Sequence, residues 1–359
     1  MFKEITIIGL GFMGASLAGV LKSKKSDIII NGFDINQKNI DFCLDNKFID
    51  KGIKINCGDD NHNHNISENK LTDNNSINFN AGININDDIN INRLNKNINS
   101  FYDPLKSDIA ILCIPPKVIL KFLYDNKNFL AKFSLITDIG SIKKEIISAS
   151  KKNNLKNFIG SHPMCGSDKS GAENADINMF QGKTCIIIRE NNSNKNYNDD
   201  DTHNDDVYNN FCNLETKINN YNYYYLNFIE KITLFWEALG MEVIYADADF
   251  HDYMAGYSSH LPHVVSFCLS KTVLDTVDAN LPYSSLKYIS SGFKDTTRIA
   301  SSSENIWADI FLLNKSNLIS SLNNYIDNLN KFKILIENND EDALKLLIAE
   351  IAKQRKMLG

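Results

Sequence analysis

The chain of 359 residues has no apolar run long enough to span a bilayer, which excludes a membrane-embedded class. Strand-like residues start at Glu4, with no basic segment or apolar stretch before them, and a cytoplasmic protein is expected. Excess positive charge is also lacking. Thirty-eight Lys and Arg stand against 44 Asp and Glu, a net charge of −6, so neither nucleic acid nor an anionic membrane surface is an expected partner. The cysteines, at 43, 57, 113, 165, 185, 212 and 268, form no CxxC pair. Several lie in apolar runs such as "IAILCI" and "TCIII", which reads as buried free thiols in a reducing compartment, not a disulfide framework. No metal is expected either, since "HNH" at His62 and His64 has no acidic or thiol partners at ligand spacing.

What remains is ordinary for a globular protein, 43% hydrophobic and 23% charged, with a length that suits two domains. Two Asn-rich tracts, about 56–99 and 191–225, carry no pattern that could bury a core and read as solvated insertions. Outside them, strand-like runs at 4–9, 28–33, 108–114, 133–138, 157–161, 184–188 and 241–245 alternate with helical patterns at 12–22, 36–46, 117–125, 141–152 and 226–239. This alternation predicts an α/β domain over residues 1–246, a doubly wound, mostly parallel sheet covered on both faces. After Ala246 only helical patterns follow, at about 248–278, 282–290, 304–314, 316–337 and 340–357, so residues 247–359 read as an all-helical domain.

The first strand and helix meet at Gly9-x-Gly11-x-x-Gly14, with Phe12 and Met13 between the last two glycines. In a dinucleotide-binding turn the first glycine permits the tight turn and the second lets the backbone approach a pyrophosphate. The third lets helix and strand pack closely, and the helix N-terminus attracts the anion. The second strand ends at Asp34, twenty residues beyond Gly14, where a carboxylate accepts from adenosine ribose hydroxyls. An acid there repels a 2′-phosphate, and no Arg stands among Ile35, Asn36 and Gln37, so NAD is expected in preference to NADP. Later strand ends should face the same cofactor, at Cys113 and Pro115 of "ILCIPP" and at Gly140 and Ser141 of "TDIGSIKKE". Ser141 is expected both to cap the next helix, with Glu145 near the capping-box position, and to present its hydroxyl to nicotinamide or substrate.

Three histidines lie in the Asn-rich tracts, leaving His162, His251, His260 and His263. His162 follows a strand in "GSHPMCGSDKSGAENADINMFQGK", flanked by glycines, a poor place for a packed histidine and a good one for a general base near pH 7. His260 and His263 of "SSHLPH" are three apart and share a helix face, either as satisfied polar groups or as pocket residues, with Pro262 shaping a helix start. "SSGFKDTTRIASSSENIWADIF" gathers Lys294, Asp295 and Arg298. Asp295 and Arg298 could simply pair, or the guanidinium could clamp a substrate carboxylate.

Together, "IIGLGFMGASLA", "CIPP", "TDIGSIK", "GSHPMCGSDKSGAENAD", "FQGK", "FWEALGMEV", "HDYMAGYSSHLPH", "GFKDTTRIASS" and "WADIF" resemble the prephenate dehydrogenase family, with its relative arogenate dehydrogenase. The resemblance spans nearly all of the chain outside the Asn-rich tracts. It implies a Rossmann-type domain followed by a helical domain that pairs into a homodimer, with the active site between domains. It also implies NAD-dependent oxidative decarboxylation of prephenate to 4-hydroxyphenylpyruvate on the route to tyrosine. Carried over, His162 would be the base and Ser141 would sit near substrate and nicotinamide. Arg298 would bind a carboxylate, and His260 and His263 would line the pocket, the latter position being tied to tyrosine sensing. The residues Ser167, Asp168, Lys294 and Asp295 would complete its polar wall. Departures are Cys165 for a common Ala, Ser167-Asp168 for Thr-Glu, and Ala308 where Arg often follows Trp307. The shorter Asp168 would loosen a polar gate with Lys294. No added mutase helix or regulatory domain is expected. Other readings are arogenate as substrate, a β-hydroxyacid dehydrogenase, against which "SHPMCG" and "SSHLPH" argue, and a non-catalytic NAD-binding protein.

Overall fold

A computed structural model describes residues 2–55, 107–166, 169–189, 220–280 and 287–357. The expectations for the first Asn-rich tract, most of the second, His62, His64, Ser167 and Asp168 lie outside the described residues. Eight strands form one sheet: β1 (Glu4–Ile8), β2 (Ile29–Asp34), β3 (Lys51–Lys54), β4 (Ile109–Leu112), β5 (Leu135–Asp138), β6 (Phe158–Pro163), β7 (Thr184–Ile188) and β8 (Glu242–Ala246). Their order is β3-β2-β1-β4-β5-β6-β7-β8. Every neighbouring pair is parallel except β6 and β7. The chain therefore reverses its winding direction between β1 and β4, the place where such sheets open a ligand crevice at their carboxyl ends.

The apolar run of β1 is buried on both faces. Ile5 and Ile7 enter one core with Leu17 and Trp236, while Ile8 enters the other with Phe33 and Phe122. Each such side chain contributes about 1.5–3 kcal/mol by leaving water. Helices α1 (Phe12–Lys24), α2 (Gln37–Asp45), α3 (Pro116–Asp125), α4 (Lys127–Leu130), α5 (Lys144–Lys152) and α6 (Asn220–Ala238) accompany the strands. Helix α6 takes in the end of the second Asn-rich tract, because Ile229, Ile232, Phe235 and Trp236 anchor it in the core. Strand β3 went unread in the sequence: "KGIK" offers one apolar residue, and an edge strand buries little.

Helix α7 (Ala248–Ala255) runs through a π-helical turn, Gly256–His260, into α8 (Leu261–Asn280). Pro262 thus does not shape a helix start. It lacks an N–H to give, and just before it the Leu261 N–H reaches back five residues to the Gly256 carbonyl. Beyond lie α9 (Ser291–Thr297), α10 (Glu304–Leu313), α11 (Lys315–Glu337) and α12 (Glu341–Lys356). The residues fall into two compact units, 1–252 with 302–313, and 253–301 with 314–359. In the first, Lys117 of α3 pairs with Asp309 of α10 at 3.8 Å. In the second, Asp340 caps α12 by accepting the Ala343 N–H at 3.1 Å. Ile326, Leu329, Ile334, Leu346 and Ile348 of α11 and α12 stay exposed.

Cys43, Cys165 and Cys185 are buried free thiols, Cys113 is half-buried and Cys268 is exposed. Burial pushes the Cys43 and Cys165 thiols up to about 12. Among the described residues, no helix is long and apolar enough to cross a membrane.

Candidate functional site

The three glycines after β1 do three different jobs. Gly9 has φ +96°, and a Cβ there would overlap the carbonyl oxygen of Cys113. A Cβ on Gly14 would overlap the Gly9 carbonyl, so helix and strand touch through bare backbone. A Cβ on Gly11 would meet no atom of the described residues within 4 Å. Packing therefore demands the first and third glycines, while the second stands beside open space among the described residues. Gly11 is also the N-cap of α1 and offers no side-chain acceptor, so Phe12, Met13 and Gly14 present the open N–H groups of a helix N-terminus toward that space.

Asp34, 7% exposed at the end of β2, braces this turn. Its Oδ2 accepts the Leu10 N–H at 2.6 Å and its Oδ1 accepts the Asn36 N–H at 2.6 Å. Burial raises its pKa, and these backbone donors oppose the rise. The Asn39 side chain and the Ile35 N–H also donate to this carboxylate. Because β1, β2, β4, β5 and β6 are all parallel, Cys113, Pro115, Gly140, Ser141 and His162 come to the same edge of the sheet. The Cys113 N–H bonds to the Ile8 carbonyl at 2.7 Å, tying the β4 exit to the glycine turn.

Ser141 is not a helix cap. Helix α5 begins at Lys144, and Asp252 caps it: Oδ1 accepts the Lys143 N–H at 2.8 Å and Oδ2 the Lys144 N–H at 2.9 Å. A carboxylate from a distant segment binds those donors better than a neutral hydroxyl three residues upstream. The half-buried Ser141 hydroxyl makes no hydrogen bond among the described residues. Below it, Lys143 and Asp138 form a wholly buried ion pair, and the Lys143 ammonium also donates to the Ser161 carbonyl at 2.7 Å. Burial pushes Lys143 down and Asp138 up, and their attraction opposes both shifts.

His162 is half-buried on β6. Its Nδ1 lies 2.8 Å from His251 Nε2, and His251 Nδ1 lies 2.8 Å from Asp252 Oδ1. His251 and Asp252 are each 2% exposed. Burial lowers the His251 pKa, and the bond to Asp252 only partly offsets it. Sequence reasoning gave neither residue a role. "HD" stood inside a quoted segment, but nothing in linear spacing joins position 251 to 162.

The second unit holds Arg298, His260, His263, Lys294 and Asp295. The expected alternative pair of Asp295 with Arg298 is not formed. Lys294, Asp295 and the Arg298 guanidinium are exposed and make no ion pair among the described residues. His263 donates from Nδ1 to the Ser259 carbonyl at 2.9 Å. Burial lowers its pKa, as does the nearby Arg298 charge. His260 is fully buried, and its Nδ1 receives the Asn314 amide at 3.0 Å.

The chain matches the family profile "Prephenate dehydrogenase, nucleotide-binding domain" over residues 71–200 and "Prephenate dehydrogenase, dimerization domain" over 247–350, together more than half its length. A cyclohexadienyl dehydrogenase of Zymomonas mobilis is 25% identical, the match covering 100% of this chain and 97% of the relative. A prephenate dehydrogenase of Lactococcus lactis is 26% identical over 70% of this chain and 61% of its own. The crystal structure of prephenate dehydrogenase from A. aeolicus with hydroxyphenyl propionate and NAD+ is 25% identical with a TM-score of 0.69, covering 100% of this chain and 99% of that one.

Proposed function

Since the chain belongs to the prephenate dehydrogenase family, we propose that it oxidises prephenate with NAD and releases carbon dioxide, yielding 4-hydroxyphenylpyruvate. The class, an NAD-dependent dehydrogenase of aromatic biosynthesis, follows from the family. The cradle fits the cofactor: the Gly11 space and the open N–H groups of α1 suit a pyrophosphate, and Asp34 without a neighbouring Arg suits an unphosphorylated ribose. NAD, when bound, accepts a hydride from the ring carbon that bears the hydroxyl.

The single observation that carries the reading is His162 at the carboxyl end of β6, on the sheet edge that also holds the glycine turn. As hydride leaves, the ring hydroxyl must lose its proton, and an imidazole within reach takes it. The Ser141 hydroxyl orients that hydroxyl group, Arg298 clamps a substrate carboxylate through its planar fork, and His263 lines the pocket beside it. His260 serves from inside the helical unit, holding Asn314. Loss of the ring carboxylate then restores aromaticity and pulls the reaction forward. The unit containing α11 and α12 pairs with a second copy, covering their exposed apolar side chains.

Arogenate is the second reading. It is favoured by the full-length relative, whose name specifies the cyclohexadienyl ring and no side chain. Steady-state turnover of both substrates, each with NAD and NADP, ranks the readings. His162→Asn tests the base: prephenate turnover should fall about 10²–10⁴-fold while NAD still binds. Unchanged turnover would move the base elsewhere.

A further inference from the structure

We propose that Asp252 and His251 are positioning residues for His162, locking its imidazole in the tautomer that carries hydrogen on Nδ1 and offers the Nε2 lone pair as the base. The inference rests on the reading of His162 as the general base and says how that base is held. It follows from counting donors and acceptors along the chain of contacts. The Asp252 carboxylate accepts: two backbone N–H groups, from Lys143 and Lys144, already point at it. His251 Nδ1, 2.8 Å from Oδ1, must therefore be the donor.

A neutral imidazole with hydrogen on Nδ1 is an acceptor at Nε2. That atom lies 2.8 Å from His162 Nδ1, so His162 donates there, and its own basic position is Nε2. Burial keeps His251 neutral. The charged and titratable groups that face it are Asp252 on its own helix, Lys143 at the head of α5, Asp138 on β5 and His162 on β6.

In the reaction the substrate O–H bond breaks and an Nε2–H bond forms on His162, while the hydride goes to the nicotinamide. The resulting imidazolium keeps both protons. Its Nδ1–H bond to His251 strengthens, and Asp252 steadies the charge from behind. The proton leaves from Nε2 after product departs, and His251 never has to hold it.

The test uses the full-length chain labelled with 15N-histidine. NMR should show wild-type His162 protonated on Nδ1 and bare on Nε2. In Asp252→Ala the acceptor of the His251 Nδ1–H is gone, so neither ring is held and His162 should carry hydrogen on Nε2 in a large share of molecules. The kcat for prephenate should then fall at least about tenfold, with the KM for NAD within about twofold. Asp252 also caps α5, so His251→Leu provides a second route that spares those backbone bonds. It should lower kcat similarly and move the acid limb of the kcat/KM profile to lower pH, because the imidazolium loses its acceptor. His251→Gln, whose amide oxygen can accept from Nδ1–H, should recover at least tenfold of that loss. Wild-type His162 protonated on Nε2, or His251→Leu with unchanged kcat and pH profile, would overturn the assignment. The functional reading fails separately: a chain with the expected tautomer and no turnover of prephenate or arogenate refutes the activity and leaves the hydrogen-bond assignment standing.

Discussion

Replacing Gly11 and Gly9 one at a time by alanine separates fold from cofactor. Gly11→Ala places a methyl group where no atom of the described residues lies within 4 Å, at φ −65° and ψ −165°, which any residue adopts. Two opposing effects act on stability. A less flexible unfolded chain stabilises by about 0.4–1 kcal/mol, and alanine is a poorer N-cap than glycine by a comparable amount. The melting temperature should stay within about 3 °C of wild type. Gly9→Ala is different. It forces a side chain into a positive-φ conformation, costing about 1–2 kcal/mol, and drives a methyl into the Cys113 backbone, with overpacking at about 1–3 kcal/mol more. A drop of about 3–7 °C follows for a chain of this size. NAD titration by calorimetry completes the pair: Gly11→Ala should weaken binding at least tenfold, because its methyl occupies the space kept for the pyrophosphate. Gly11→Ala that melts like wild type and binds NAD equally well would refute the assignment of that space.

Arg298→Ala should leave the melting temperature unchanged, since the guanidinium is exposed and unpaired among the described residues. Losing charge-assisted bonds of about 1.5–3 kcal/mol should raise the prephenate KM about 10–100-fold, with the NAD KM unmoved. An unchanged prephenate KM would remove the clamp. Ser141→Ala should likewise melt like wild type, because Asp252 and not Ser141 caps α5, and yet lower kcat; a loss of about 1 kcal/mol in stability would restore the capping role. Acid should destabilise the fold in the histidine range. His251 and His263 have folded pKa values below the unfolded value of about 6.5, so the unfolded chain binds more protons and stability falls as pH drops through that range. Thermal melts between pH 7.5 and 5.5 should show the fall, smaller in His251→Leu, and a rise on acidification would contradict it.

The sheet and its glycine turn were legible because both signals are local. Strands buried on two faces read as unbroken apolar runs, and a turn that forbids two Cβ atoms fixes its glycine spacing. Strand β3 was not, since an edge strand with one isoleucine has no pattern to read. His162 stood out by its glycine-rich surroundings and Arg298 by its charge cluster. The Ser141 cap was misread because a capping-box rule looks three or four residues ahead, and the true acceptor lies 109 residues from Lys143. His251 escaped for the same reason. Its meaning lies in a contact with a strand 89 residues earlier, and periodicity records only which face a residue occupies.

That long reach has a physical consequence. If Ser141 capped α5, its hydroxyl oxygen would be committed to a backbone N–H and would turn away from the sheet edge. By drawing the cap from Asp252, the fold leaves that hydroxyl uncommitted among the described residues and uses one carboxylate for three bonds, two to the head of α5 and one to His251. The loop bearing Ser141 and the imidazole of His162 then share one anchor and keep a fixed separation. The buried Lys143–Asp138 pair works beneath them in the same sense: its ammonium bridges the end of β5 to the Ser161 carbonyl, the residue just before His162. Such a pair costs desolvation energy that an apolar pair would not. What it provides here is direction. Hydrogen bonds fix the β5 exit and the β6 backbone at a set distance and angle, whereas packed methyl groups would let either slide, and the role proposed for His162, to meet a hydroxyl within hydrogen-bond reach, tolerates little sliding.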